Sequence, residues 1–170
     1  MGQATDYGFF SDLFVERPNI TYEEAIEKSE KFYKFETVSR QDQVYNILSR
    51  ILTFERFNKL SWAKNDLKLL ERKYPDIIEN NPKKYPYYFA SAIIAMKEKQ
   101  YSKALTKLKW LENYEKENQK PHLQGFPRYP HISEYVAICL TYLKKQTDVE
   151  KYLELIRKRY EELIEWRRKK

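Results

Sequence analysis

Residues 87–114 read YYFASAIIAMKEKQYSKALTKLKWLENY, and this stretch decides the fold. Its first part, Tyr87 to Met96, is apolar on nearly every side and broken only by Ser91. From Tyr101 onward, Tyr101, Ala104, Leu105, Leu108 and Leu111 recur at the spacing of one helical face, with Lys103 and Lys107 on another. Two helices are predicted, at about 87–98 and 101–117, folding back on each other as a hairpin. Ala92, Ala95 and Ala104 are small enough to let the two backbones approach closely.

The same logic extends in both directions. Toward the N-terminus, Ala63, Leu67, Leu70 and Tyr74 mark a helix that Pro75 ends. Before it, Val44, Ile47, Leu48, Ile51, Leu52 and Phe54 mark another, started by Ser39 with Asp42 and broken near Asn58. Thr21 and Glu24 form a capping box ahead of a face carrying Tyr22, Ala25, Ile26, Ser29, Phe32 and Tyr33. Pro18 and Asn19 separate that helix from a short first one bearing Phe10, Leu13 and Phe14. Residues 80–86 read as a loop, and so do residues 118–131, with Pro121, Gly125, Pro127 and Pro130. Helices at 132–144 and 147–166 follow. The second opens on a capping box of Thr147 and Glu150 and carries Val149, Tyr152, Leu153, Ile156, Tyr160, Leu163 and Ile164. No segment alternates as a strand would. The expectation is an all-α chain of about eight helices in about four antiparallel hairpins, at 5–36, 40–74, 86–117 and 131–166. These form one domain over 1–166, with a basic tail at 167–170.

Composition narrows the function. Only 3 Gly occur in 170 residues, which leaves room for long helices. The net charge is +7, unevenly spread. Residues 1–60 hold 8 basic and 10 acidic side chains, and residues 61–170 hold 24 and 15. A basic C-terminal two-thirds favours an acidic partner, although Lys-rich helices also simply need a solvated face. The longest apolar run is about half what a membrane span needs. Asp6 stands where a myristoylation signal wants Ser or Thr, and no stretch has the pattern of a signal peptide. A soluble, cytoplasmic protein with no membrane contact is expected.

No residue pattern points to catalysis, a metal or a cofactor, and none is expected. His122 and His131 lie nine residues apart in a Pro-rich stretch, and Cys139 is alone in an apolar helix. Zinc sites want paired ligands at close spacing. Gly2, Gly8 and Gly125 are isolated, so no phosphate-cradling loop exists.

Three of the hairpins overlay. Ala92, Ala95, Tyr101, Ala104, Leu108 and Leu111 match Ile51, Phe54, Leu60, Ala63, Leu67 and Leu70, and then Leu140, Leu143, Val149, Tyr152 and Ile156. With Pro75 after the first of these units, the pattern resembles the tetratricopeptide repeat family. The units are offset by 41 and 48 residues rather than that family's 34. The resemblance implies a short right-handed α-solenoid whose first helices line a concave, partner-binding face. The positions it assigns to that face are Tyr45, Leu48, Leu52, Arg56, Phe89, Ile93, Met96, Lys97, Thr141, Lys144 and Lys145, an apolar floor with a basic rim. Relatives that clamp a C-terminal carboxylate use Lys and Asn midway along these helices, where Leu48, Leu52, Phe89 and Ile93 stand here. The expected function is an adaptor that binds a peptide or helix of another, acidic protein. A nucleic-acid-associated protein using the basic two-thirds is the second reading, and a homodimer subunit the third.

Overall fold

The computed structural model describes residues 2–80, 84–117 and 132–169. Among these, every regular element is an α-helix and no strand occurs. Packing between neighbouring helices is consistent with a helical repeat. The chain divides into two compact units, Met1–Ala90 and Ser91–Lys170.

In the first unit the helices are α1 (Gly2–Glu16), α2 (Tyr22–Phe32), α3 (Arg40–Arg56), α4 (Leu60–Lys73), the single turn α5 (Pro75–Ile78) and the start of α6 (Lys84–Lys97). The capping signals act as the sequence predicts. Thr21 and Glu24 satisfy each other's free N–H groups at the start of α2, and the Ser39 side chain accepts from the Asp42 N–H at the start of α3. Pro75 ends α4 but also opens α5, because a first-turn position has no N–H partner to lose. For the same reason α6 begins at Lys84 and takes in Tyr85 and Pro86, which the sequence reading assigns to a loop.

The core of this unit is aromatic. Phe10 and Phe54 are fully buried and meet edge to face, and Trp62 stands perpendicular to Phe54 at 5.4 Å. Phe14, Phe57 and Tyr22 extend the cluster, and the Lys59 ammonium caps it 4.2 Å from the Trp62 ring.

The second unit holds the end of α6, then α7 (Tyr101–Glu117), α8 (Ile132–Tyr142) and α9 (Gln146–Arg168). α7 packs on α8, and α8 on α9. Cys139, Val136, Leu108 and Leu111 are fully buried there. Thr147 lies inside α9 rather than ahead of it, so the expected capping box does not open the helix. Glu150 instead accepts from the Gln146 side chain. Arg167 and Arg168, expected in a tail, are helical.

One turn is used three times. Phe57-Asn58-Lys59 joins α3 to α4, Glu98-Lys99-Gln100 joins α6 to α7, and Leu143-Lys144-Lys145 joins α8 to α9. The middle residue of each is left-handed, with φ of 59°, 60° and 58°. The residue after it returns an N–H to a carbonyl five positions back: Lys59 to Phe54, Gln100 to Ala95, Lys145 to Leu140, at 2.8 to 3.0 Å. This is a Schellman cap with Asn or Lys where glycine is usual. Lys34, at φ 49°, caps α2 in the same way.

These turns correct the overlay of the third hairpin. Lys99 follows Asn58 by 41 residues, but Lys144 follows Lys99 by 45 rather than 48. By that spacing Ala137 rather than Leu140 corresponds to Ala92, and both are buried. A slip of three residues turns a helix by only about 60° short of a full turn, so a helix apolar on most sides looks much the same in either register.

Candidate functional site

The groove between α1 and α2 is the candidate. It is a cleft of about 570 Å³. Phe9, Leu13 and Phe32 form its floor, Asp12 and Glu16 its wall on α1, and Lys28 and Lys31 its wall on α2. The sequence reading misses it because Phe32 falls on the same helical face as Ala25 and Ser29, yet its ring is 57% exposed. The available signal was on α1, where Phe9, Asp12, Leu13 and Glu16 sit at i, i+3, i+4 and i+7. That pattern interleaves acids with an apolar stripe.

Two contacts fix the register of the groove walls. The Phe9 ring lies 4.7 Å from Phe32, and Arg17 pairs with Glu24 at 3.2 Å. Among the described residues, none of the four charged wall residues takes part in an ion pair. The groove is thus an apolar strip between an acidic and a basic wall, the form that accepts an amphipathic helix.

The other conspicuous chemistry is structural. Arg50 of α3 and Asp66 of α4 are 2% and 0% exposed. The Arg50 guanidinium donates twice to the Asp66 carboxylate, from Nε at 2.6 Å and from Nη2 at 2.8 Å, and the Tyr22 hydroxyl donates to it at 2.8 Å. Glu30 of α2 stands 3.8 Å from Arg50. Burial works against the charged guanidinium, and the Asp66 carboxylate more than offsets it, so the Arg50 pKa is held above its ordinary value. Burial, then the same carboxylate, pushes the Tyr22 hydroxyl well above the ordinary tyrosine range. The network ties three helices together.

In the second unit Glu112 of α7 is likewise buried. Its Oε2 accepts from the Tyr152 hydroxyl of α9 at 2.7 Å, with the Lys109 ammonium beside both, and its Oε1 has no hydrogen-bond partner among the described residues. Tyrosine-to-carboxylate bonds also join Tyr87 to Glu71 and Tyr160 to Glu134. The abundant tyrosines therefore combine apolar contact area with a polar tether between helices. Cys139 is buried, and burial pushes its thiol up to about 11. Among the described residues no cluster of His, Cys, Asp and Glu could hold a metal, and no helix is long and apolar enough to cross a membrane. His122 and His131 lie outside the described residues.

The residues expected on a concave face are placed as follows. In the first unit Leu48 and Phe89 are core, at 3% and 4% exposed. Leu52 is half-buried, while Tyr45 and Arg56 are exposed. In the second unit Ile93 is buried and Met96 half-buried, while Lys97, Thr141, Lys144 and Lys145 are exposed. Leu48, Phe89 and Ile93 are thus interior, Leu52 and Met96 lie partly open, and Tyr45 and the polar positions face solvent. Lys144 also has a backbone role, as the left-handed residue of its turn.

No protein-family model, curated protein or solved structure matches the chain.

Proposed function

We propose that this chain is a short tetratricopeptide-like helical-repeat module whose work is to bind another protein, taking an amphipathic helix into the α1–α2 groove. The observation that carries this is the groove itself: an apolar strip of Phe9, Leu13 and the exposed Phe32 beside unpaired side chains of opposite charge. The thrice-used hairpin turn and the small residues at equivalent positions, Ala92 and Ala137, support the repeat. A protein partner is favoured over nucleic acid because α9, the helix with the most basic side chains, carries as many acidic ones. Arg157 of α9 is held between Glu154 and Glu161, at 2.6 and 2.7 Å.

The test is fluorescence anisotropy with a synthetic amphipathic helix of about five turns, bearing Leu on one face, Glu along one flank and Lys along the other. Binding should be micromolar, and Phe32→Ala should weaken it by at least about tenfold, as loss of a central aromatic anchor does. Absence of binding, or binding indifferent to Phe32, overturns the proposal.

A further inference from the structure

We infer that the turn end of the second unit binds single-stranded nucleic acid, a role separate from that of the α1–α2 groove. α9 is balanced in charge along its length, but the end where it begins is not. There Tyr101 and Tyr142 bring the α6–α7 and α8–α9 turns together, their rings stacked in parallel at 4.3 Å. Lys99 and Lys103 stand two residues to either side of Tyr101, and Lys144 and Lys145 follow Tyr142 by two and three. Among the described residues none of these four lysines takes part in an ion pair. The neighbouring carboxylates are Glu98, between Lys97 and Lys99, and Asp148 and Glu150 at the start of α9, where Glu150 accepts from Gln146.

The lysines are placed against their own local energetics. The first of the three matching turns uses Asn58, a residue that tolerates left-handed backbone, whereas the other two put Lys99 and Lys144 there, at φ 60° and 58°. Lys103 sits in the first turn of α7, where the helix dipole disfavours a cation and no acid offsets it. Lys59 of the first turn covers the Trp62 ring at 4.2 Å, while Lys145, at the matching place, has no side-chain partner among the described residues. Three of the four charges are thus held at a cost to the fold, as residues kept for what they bind are. The tyrosines decide which anion. Tyr142 is 62% exposed although Tyr101 lies against it, so a flat ring is open beside the lysines. An acidic peptide matches the lysines but has no need of that ring. A nucleotide strand brings phosphates to the lysines and a base to stack on the ring. A duplex hides its base faces, so the strand is single.

Anisotropy titration of the full chain with a labelled oligothymidylate of about ten nucleotides tests this. Four phosphate contacts give a slope of about −2.8 for log affinity against log salt, so going from about 50 to about 200 mM salt should weaken binding about 50-fold. K99G/K144G should unfold at higher urea than wild type yet bind less tightly, with the salt effect reduced to about sevenfold. A merely structural role for the two lysines would not lower the affinity of a more stable chain. Tyr142→Ala should weaken binding at least about fivefold with unchanged far-ultraviolet circular dichroism, and Tyr142→Phe, which keeps the ring, should not. A probe of equal length without bases should bind wild type as weakly as the intact probe binds Tyr142→Ala. No binding at low salt, unchanged affinity in K99G/K144G, or a base-free probe bound as tightly as the intact one overturns the inference. Polyglutamate of equal charge that competes as well as the oligonucleotide also overturns it, and assigns the patch to an acidic protein instead.

Discussion

Asp66→Asn tests what holds the first unit together. The substitution keeps the shape and removes the charge. Asp66 now accepts three hydrogen bonds, two from Arg50 and one from Tyr22, and both ions are buried. Asparagine turns an NH2 group toward one of the Arg50 donors and leaves the guanidinium with only Glu30, at 3.8 Å. Breaking one side of a buried pair costs about 3–5 kcal/mol, because the surviving charge stays desolvated. Against a typical domain stability of about 5–15 kcal/mol this is a large share. Replacing the whole network with apolar residues, as R50M/D66L/Y22F, should cost far less, within about 2 kcal/mol of wild type, since no charge is then stranded. The assay is urea unfolding followed by Trp62, which packs against Phe54 and Tyr22, with Trp110 and Trp166 replaced by Phe so that the first unit alone is read. A D66N cost under about 1 kcal/mol, or a triple variant less stable than D66N, refutes the reasoning.

Three further outcomes follow from the second unit. Lys99→Gly and Lys144→Gly should each raise stability by about 0.5–1 kcal/mol, measured from urea midpoints, because glycine removes the cost of a left-handed side-chain residue. Lys99→Ala should bring no gain. Tyr152→Phe should cost about 1–3 kcal/mol by Trp110 fluorescence, since it takes the hydroxyl donor from the buried Glu112 carboxylate, and adding Glu112→Leu should recover part of that loss. Cys139, its thiol raised to about 11 by burial, should react with iodoacetamide at neutral pH at least about 100-fold more slowly in the native chain than in urea, and native labelling should speed up only as pH nears that value.

The helices were legible because burial imposes a period, and caps and prolines mark its ends. Thr21 with Glu24, Ser39 with Asp42 and Pro75 all sit where their side-chain chemistry predicts. The turns were harder to read because Lys99 and Lys144 stand where glycine would have announced them. That silence is also what allowed the three-residue slip in the third hairpin. The Arg50–Asp66 pair left a trace that periodicity alone treats as noise. Arg50 lies on the face of Ile47, Ile51 and Phe54, and Asp66 on the face of Ala63 and Leu70, so each charge sits inside an apolar stripe. Of the candidate site, the apolar floor and charged walls were in the sequence, but on two helices. Only their pairing, set by Phe9 against Phe32 and Arg17 against Glu24, makes them one groove. Period cannot tell that Phe32 lies at the rim of its face rather than beneath it.

Docking into the α1–α2 groove is tested most directly by following backbone amide resonances of the ¹⁵N-labelled chain as the amphipathic peptide is added. The account predicts shifts concentrated at residues 9–16 and 28–32, with α8 and α9 unmoved. Largest shifts on α8 or α9, or none at all, contradict it.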